Sequence, residues 1–154
     1  MLFVQGCAGY GRNQREARSL TTANHIDQAR KKVVMAALSQ VGTPYVFGGE
    51  VPGEALDCSG LTRYAHSKIG LEIPRVSVDQ RRAAKPLANK PPAPGDLVFF
   101  QINPRTHHVG IMVDEQRFVH ASTSQRAVRL ALLDNPYWQQ RLLGSGTFLH
   151  DQMP

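Results

Sequence analysis

The sequence predicts an α+β fold, with helices in its first half and then consecutive strands forming an antiparallel sheet of about five to six strands. Three features predict it. Apolar residues recur at helical spacing across 26–41 and again across 61–69. Short apolar or alternating segments of strand length follow from residue 96 onward. Gly/Pro blocks separate these segments. The chain has 154 residues, enough for one domain with a single core. It contains no run near the roughly 18 apolar residues of a membrane-spanning helix.

Residues 7–24 are rich in Gly, Arg, Asn, Gln, Ser and Thr and show no apolar period. Residues 1–24 therefore read as a flexible N-terminal arm and 25–154 as the folded domain. Asn24 can cap a first helix that buries Ile26, Ala29, Val33, Ala37, Leu38 and Val41, and Gly42-Thr43-Pro44 ends it. Tyr45-Val46-Phe47-Gly48-Gly49 follows, and Val51-Pro52-Gly53 marks a loop. A second helix starts near Cys58 with Asp57 as N-cap, buries Leu61, Ala65 and Ile69, and stops at Gly70. A short polar helix over 77–84 has Ser77 as its cap. Pro91-Pro92-Ala93-Pro94-Gly95 forces a clean start for a strand over 96–100, whose unbroken apolar run suits burial on both faces. Strands over 107–113 and 117–122 lie around Asp114-Glu115-Gln116-Arg117. A further strand covers 127–130, Pro136-Tyr137-Trp138 makes a surface turn or short helix, and 147–149 closes the sheet.

The net charge of +6 is uneven. Arg12, Arg15, Arg18, Arg30, Lys31 and Lys32 face only Glu16 and Asp27 in the first 32 residues, and the body is nearly balanced. A basic front end suits an acidic polymer, an anionic membrane surface or a nucleic acid, or simply solvates the chain. Nucleic acid is the poorest fit, because Trp138 is the only Trp and no basic stripe carries interleaved aromatics. Two cysteines do not fix a redox compartment, and a Cys7–Cys58 disulfide would consume the candidate nucleophile described next. Val4-Gln5-Gly6-Cys7 resembles the end of a bacterial lipoprotein signal, in which Cys7 would carry the lipid and anchor the chain to a membrane. The apolar run before it is too short for such a signal, so this reading requires a precursor that begins upstream. A chance Gly-Cys pair in a terminal arm is the alternative, and both stay open.

Asp57-Cys58-Ser59-Gly60 places a thiol at a helix N-terminus, where the macrodipole and free N–H groups favour thiolate over thiol. His108 and His120 lie in two strands that can form one hairpin. A nucleophile, a base and an orienting group on separate elements is the layout of a cysteine hydrolase. His107 shares a strand face with Val109, Ile111 and Val113, a core-like set. His108, with Gly110 and Met112, is therefore the histidine expected to face the cysteine. Parity adds a condition. A two-residue loop would pair Asp114 with Arg117 and send His108 and His120 to opposite faces, so a relay between them requires an odd-length loop or a bulge. The plain alternatives are a structural thiol at Cys58 and a satisfied strand histidine at position 120. His25, His66 and His150 read as surface residues. No Cys/His spacing supports a metal site, and no cofactor is expected.

Gly42-Thr43-Pro44-Tyr45-Val46-Phe47-Gly48-Gly49, Asp57-Cys58-Ser59-Gly60-Leu61, Pro74-Arg75, Pro94-Gly95-Asp96-Leu97-Val98-Phe99-Phe100, His107-His108-Val109-Gly110-Ile111 and Phe118-Val119-His120-Ala121 occur in that order. Together they resemble the NlpC family of papain-like cell-wall cysteine peptidases over roughly residues 30–150. The resemblance implies a papain-like fold, Cys58 as nucleophile, His108 as general base and His120 as its orienting partner. It implies an oxyanion role for Tyr45 and substrate-binding roles for Asp57 and Ser59, with core packing as the alternative for Tyr45. It further implies peptidoglycan stem peptides as substrate, cleaved between D-γ-glutamate and a diamino acid such as meso-diaminopimelate. The expected setting is the bacterial envelope, either the periplasm with an outer-membrane anchor or the secreted space, and the expected state is a monomer. Amidase or acyltransferase chemistry on the same fold, a secreted antibacterial effector, and a non-catalytic envelope lipoprotein are the competing readings.

Overall fold

The computed structural model describes the backbone of residues 7–150 and the side chains of 14–21 and 23–150. Helix α1 spans Cys7–Ser39. A small hairpin, β1 (Glu50–Val51) and β2 (Ala55–Leu56), precedes α2 (Cys58–Ser67) and α3 (Ser77–Ala83). Then come β3 (Lys85–Pro86), β4 (Leu97–Asn103), β5 (Thr106–Met112), β6 (Arg117–Ser122), β7 (Ala127–Leu132), the short α4 (Pro136–Gln139) and β8 (Leu142–Thr147). Among the described residues, one antiparallel sheet runs in the order β3-β8-β4-β5-β6-β7. The fold is thus α+β, with helices laid against a six-stranded antiparallel sheet.

Alternation along β4 divides the core in two. Leu97 and Phe99 join Val109, Ile111, Val119, Ala121 and Val128 beneath α1 and α2. Val98 and Phe100 join Met112 and Phe118 on the opposite face, where Trp138 and Leu142 pack. Burial of both faces explains the unbroken apolar run of this strand.

Residues 7–24 were expected as an irregular arm, but α1 crosses the expected boundary at residue 24 without a break. Gln14, Arg15, Glu16, Ala17, Arg18 and Leu20 are good helix formers, and a polar helix shows no apolar period because it has nothing to bury. Residues 14–21 are all exposed, and burial begins only at Ala29, Val33, Ala36 and Ala37. Arg30 fastens this part of α1. Its guanidinium donates to the Asp96 carboxylate at 2.7 Å, to the Pro94 carbonyl at 2.8 Å and to the Leu149 carbonyl at 3.4 Å. The lipoprotein-like stretch 1–6 and the side chain of Cys7 lie outside the described residues.

Smaller differences have local causes. Ser77 is the first residue of α3, not its cap; Val76 holds that position without a side-chain hydrogen bond. The last sheet strand ends at Thr147, where closure over 147–149 was expected. His66 was expected at the surface but is fully buried, on the side of α2 that meets Phe148. Its Nδ1 lies 2.8 Å from the Thr62 carbonyl, which fixes the proton on that nitrogen, and its Nε2 has no hydrogen-bond partner among the described residues.

Candidate active site

Asp57 organises the first turn of α2. Its Oδ1 accepts from the Gly60 N–H at 2.7 Å, an N-cap that supports the helix by about 1 kcal/mol. The same carboxylate takes both arms of Arg75, at 3.0 and 2.9 Å, and its Oδ2 accepts from the Gly48 N–H at 3.1 Å. Arg75 also donates to the Ser59 hydroxyl at 2.9 Å, and its Nε meets Glu50 at 2.8 Å. This closed network lifts the guanidinium above its ordinary pKa, chiefly through the hydrogen bond to Asp57. Gly60 is required here, because any Cβ would collide with the Gly49 carbonyl. Asp57 and Ser59, expected at the substrate, both help hold the turn that carries the cysteine. Arg75 sits at the centre of that network. Its isolated place after Pro74 was the available signal.

Fully buried Gln80 braces the same turn. Its Nε2 donates to the carbonyls of Pro74 at 2.8 Å and Ser59 at 3.2 Å, and its Oε1 accepts from Thr62 at 2.7 Å. One side chain from α3 therefore ties α2 to the loop that delivers Arg75.

Cys58 is a free thiol, partly buried, at the first position of α2. It packs toward the sheet where β5 and β6 separate. Their ladder pairs only Ile111 with Val119 and Met112 with Phe118, although both strands run further. The N–H groups of Val109, Ser59 and Cys58 itself are directed at the sulfur and favour its anion. Burial acts the other way and wins, followed by the Asp57 charge, so the thiol is pushed up to about 11. The helix N-terminus alone does not produce the resting thiolate that the sequence suggested. Tyr45 is half-buried, and burial raises its phenol first, with the charges of Cys58 and Asp57 adding to the effect. That coupling puts the ring within electrostatic reach of the sulfur.

His108 and His120 meet directly, with Nε2 of His108 2.8 Å from Nδ1 of His120. The odd-length loop makes this possible. Asp114 Oδ1 accepts from the N–H groups of Gln116 and Arg117 at 2.9 and 2.7 Å, closing a three-residue turn. The resulting register sends both histidines to one face of the sheet, the one that carries Phe100 and Phe118, whereas Cys58 packs on the α1–α2 side and meets β5 at the Val109 N–H. Both are buried, 7% and 5% exposed. Burial, then the His120 charge, lowers His108 to about 3; burial lowers His120 to about 4. Both rings are therefore neutral at pH 7, and the hydrogen bond between them needs one donor and one acceptor nitrogen. His107 is partly buried at the strand end, and His25 is exposed. A cavity of about 550 Å³ opens beside the pair, walled by His108, His120, Tyr137, Trp138 and the Ser122–Gln125 turn. Trp138, expected only as part of a surface turn, covers both imidazoles. Nothing in its local sequence marked it, because its partners lie on β4, β5 and β6.

Among the described residues no group of three or more His, Cys, Asp or Glu could hold a metal ion, and no helix is long and apolar enough to cross a membrane.

The arrangement can be compared with known proteins. The model of the NlpC/P60 family matches residues 42–147. The chain is 36% identical over 119 residues to the gamma-DL-glutamyl hydrolase of Bacillus subtilis (strain 168), covering 75% of this chain and 29% of that protein. It is 30% identical over 142 residues to Escherichia coli (strain K12) "Probable endopeptidase YafL", covering 89% of this chain and 57% of that one. The chain thus spans well under two thirds of either relative. The solved structure of the peptidoglycan hydrolase RipB from Mycobacterium tuberculosis superposes with a TM-score of 0.67 at 26% identity, covering 97% of this chain and 75% of that one.

Proposed function

The chain belongs to the NlpC/P60 family, and from that premise we propose that it is a cysteine endopeptidase acting on peptidoglycan stem peptides. The observation that carries the reading is the 2.8 Å link between His108 and His120, with His108 next in sequence to Val109, whose N–H is directed at the Cys58 sulfur. The names of the relatives support a peptidase, and the gamma-DL-glutamyl hydrolase among them supports a γ-glutamyl bond as the target; meso-diaminopimelate on the far side of that bond is part of the proposal.

Each residue has one task. The Cys58 thiol passes its proton to His108 as the sulfur attacks the scissile carbonyl carbon. Burial disfavours either charge alone, so thiolate and imidazolium form together, when substrate is in place. The tetrahedral oxyanion accepts from the Cys58 N–H and the Tyr45 hydroxyl, and one such donor is worth about 3–4 kcal/mol of barrier. The intermediate collapses as the C–N bond breaks and His108 gives its proton to the leaving amine. Water then attacks the thioester, losing its proton to His108, and the thiol is restored. His120 holds the His108 ring in place through the Nε2–Nδ1 bond. Asp57, Ser59 and Arg75 fix the turn that aims the sulfur.

In this reading 25–154 is the catalytic domain and 1–24 the arm that holds it near the wall. Lipidation of Cys7 would anchor that arm, and intact-mass analysis of the native protein tests it: an unmodified chain beginning at Met1 excludes the anchor. Digestion of purified peptidoglycan by wild type and Cys58→Ala, with product masses, tests the activity. Products ending in L-Ala-D-Glu, absent with Cys58→Ala, are expected. Release of whole stem peptides from glycan would refute the endopeptidase and favour an amidase.

A further inference from the structure

We propose that Trp138 is a positioning residue whose indole roofs the His108–His120 hydrogen bond and fixes the planes of both imidazoles. Its catalytic consequence rests on the function proposed above, whereas its geometry does not.

The two imidazoles are mutually perpendicular, with centroids 5.0 Å apart and planes at 90°. One flat ring serves both. Trp138 lies nearly parallel to His108, at 5.8 Å and 18°, and edge-on to His120, at 5.0 Å and 81°. Phe100 and Phe118 close further sides. They lie 6.4 Å from His108 and 5.2 Å from His120, and each also packs on Trp138, at 4.7 and 5.1 Å. The Nε2–Nδ1 bond therefore runs inside an aromatic box, where a hydrogen bond is electrostatically stronger than in water.

The segment carrying Trp138 is held firmly for its size. Asn135 accepts from the Tyr137 N–H at 2.9 Å, and Pro136 presets the first turn of α4. Gln139 donates to the Leu133 carbonyl at 2.7 Å. Arg141 donates to the Tyr137 carbonyl at 2.9 Å, and its guanidinium sits 3.8 Å above the Tyr137 ring. Four residues of helix thus present one indole at a set angle.

Removing the indole admits water to the bond and frees the rings to turn. Both changes favour the charged imidazole, so each ring then titrates at a higher pH. The other titratable or charged groups around the pair are Arg129 opposite His120 on β7, and Arg117 and Tyr137 on the cavity wall. All remain in place when Trp138 is replaced.

Two measurements test this. In histidine-labelled protein, NMR titration of His108 and His120 is compared between wild type, Trp138→Phe and Trp138→Ala. In the same proteins kcat, KM and the pH profile are measured on muropeptides. We expect both rings of Trp138→Ala to titrate at higher pH, the acid limb of kcat/KM to move with them, and kcat to fall about tenfold with KM little changed. Trp138→Phe should recover most of each. Titrations that coincide with wild type would overturn the proposal and leave Trp138 as packing only. If wild type itself cleaves no muropeptide, the functional reading fails, and the NMR comparison still decides the positioning role. If Trp138→Ala does not fold, Trp138→Leu, which keeps apolar bulk without a plane, is titrated in its place and judged by the same criterion.

Discussion

His108 and His120 are hydrogen-bonded because three residues, not two, turn the chain between their strands. Shortening that loop by one residue would rotate His120 to the helix-covered face. The bond is therefore a property of the Asp114 turn as much as of the two rings. His120→Ala should lower kcat on muropeptides, yet by a factor on the order of 10–100 less than Cys58→Ala, since an orienting group costs less to lose than a nucleophile. Equal losses in the two variants would give His120 a larger role than orientation.

Thiol reactivity should report the resting charge state. With Cys58 pushed up to about 11 and His108 down to about 3, alkylation by iodoacetamide should keep rising as pH climbs above neutrality. A rate already level by pH 6 would mean a standing thiolate–imidazolium pair.

Acid should destabilise the fold well before the carboxylates titrate. His66, His108 and His120 all have folded-state values, about 4, 3 and 4, below the ordinary 6.5. The unfolded chain binds their protons first as pH falls. The stability they contribute is therefore complete above about pH 6.5 and is lost progressively from there toward pH 4. For His66 alone this is roughly 3 kcal/mol. Urea titrations at pH 7.5 and 5 measure it. In His66→Phe the pH dependence should shrink, and an unchanged slope would exclude His66 as a contributor.

Arg30→Ala should cost about 3–5 kcal/mol, because it strands the Asp96 carboxylate, 1% exposed, without its cation. Arg30→Met combined with Asp96→Asn should recover part of that loss in chemical denaturation. A double variant no better than the single one would show that the contacts to Pro94 and Leu149 matter more than the charge pair.

Arg75→Lys keeps the charge but loses the two-armed grip on Asp57. Stability should fall by roughly 1–3 kcal/mol, discounted toward the lower end because the guanidinium is 29% exposed. The fall in kcat should be larger than the stability loss suggests, since the turn carrying Cys58 loosens. Denaturation and kinetics on the same preparations separate the two effects.

Much of this site was legible because its signals are local. Asp57 as N-cap, Cys58 at the first helical position and the strand boundaries around His108 and His120 follow from capping chemistry, apolar period and turn residues. The odd loop was legible only as a requirement, since its length depends on which Asp114 hydrogen bonds form. Gln80 and Trp138 were not legible as parts of the site, and Arg75 was legible only as half of the Pro74-Arg75 pair, with no role attached. Apart from the Pro74 carbonyl beside Gln80, their partners at the site are 16 or more residues away in sequence, and no periodicity reports such contacts. His66 misled because an imidazole reads as polar, whereas with its Nδ1 proton held by the Thr62 carbonyl it packs as an aromatic. The N-terminal part of α1 misled for the opposite reason, being helical with no buried face to betray it.

Two oxygens of one carboxylate serve a helix terminus, a cation and a loop at the same moment. An asparagine at position 57 could keep the cap, but its NH₂ would then face both the Gly48 N–H and Arg75, which are donors. The residue preceding the sulfur therefore has almost no freedom to vary, even though it need never touch a reacting atom.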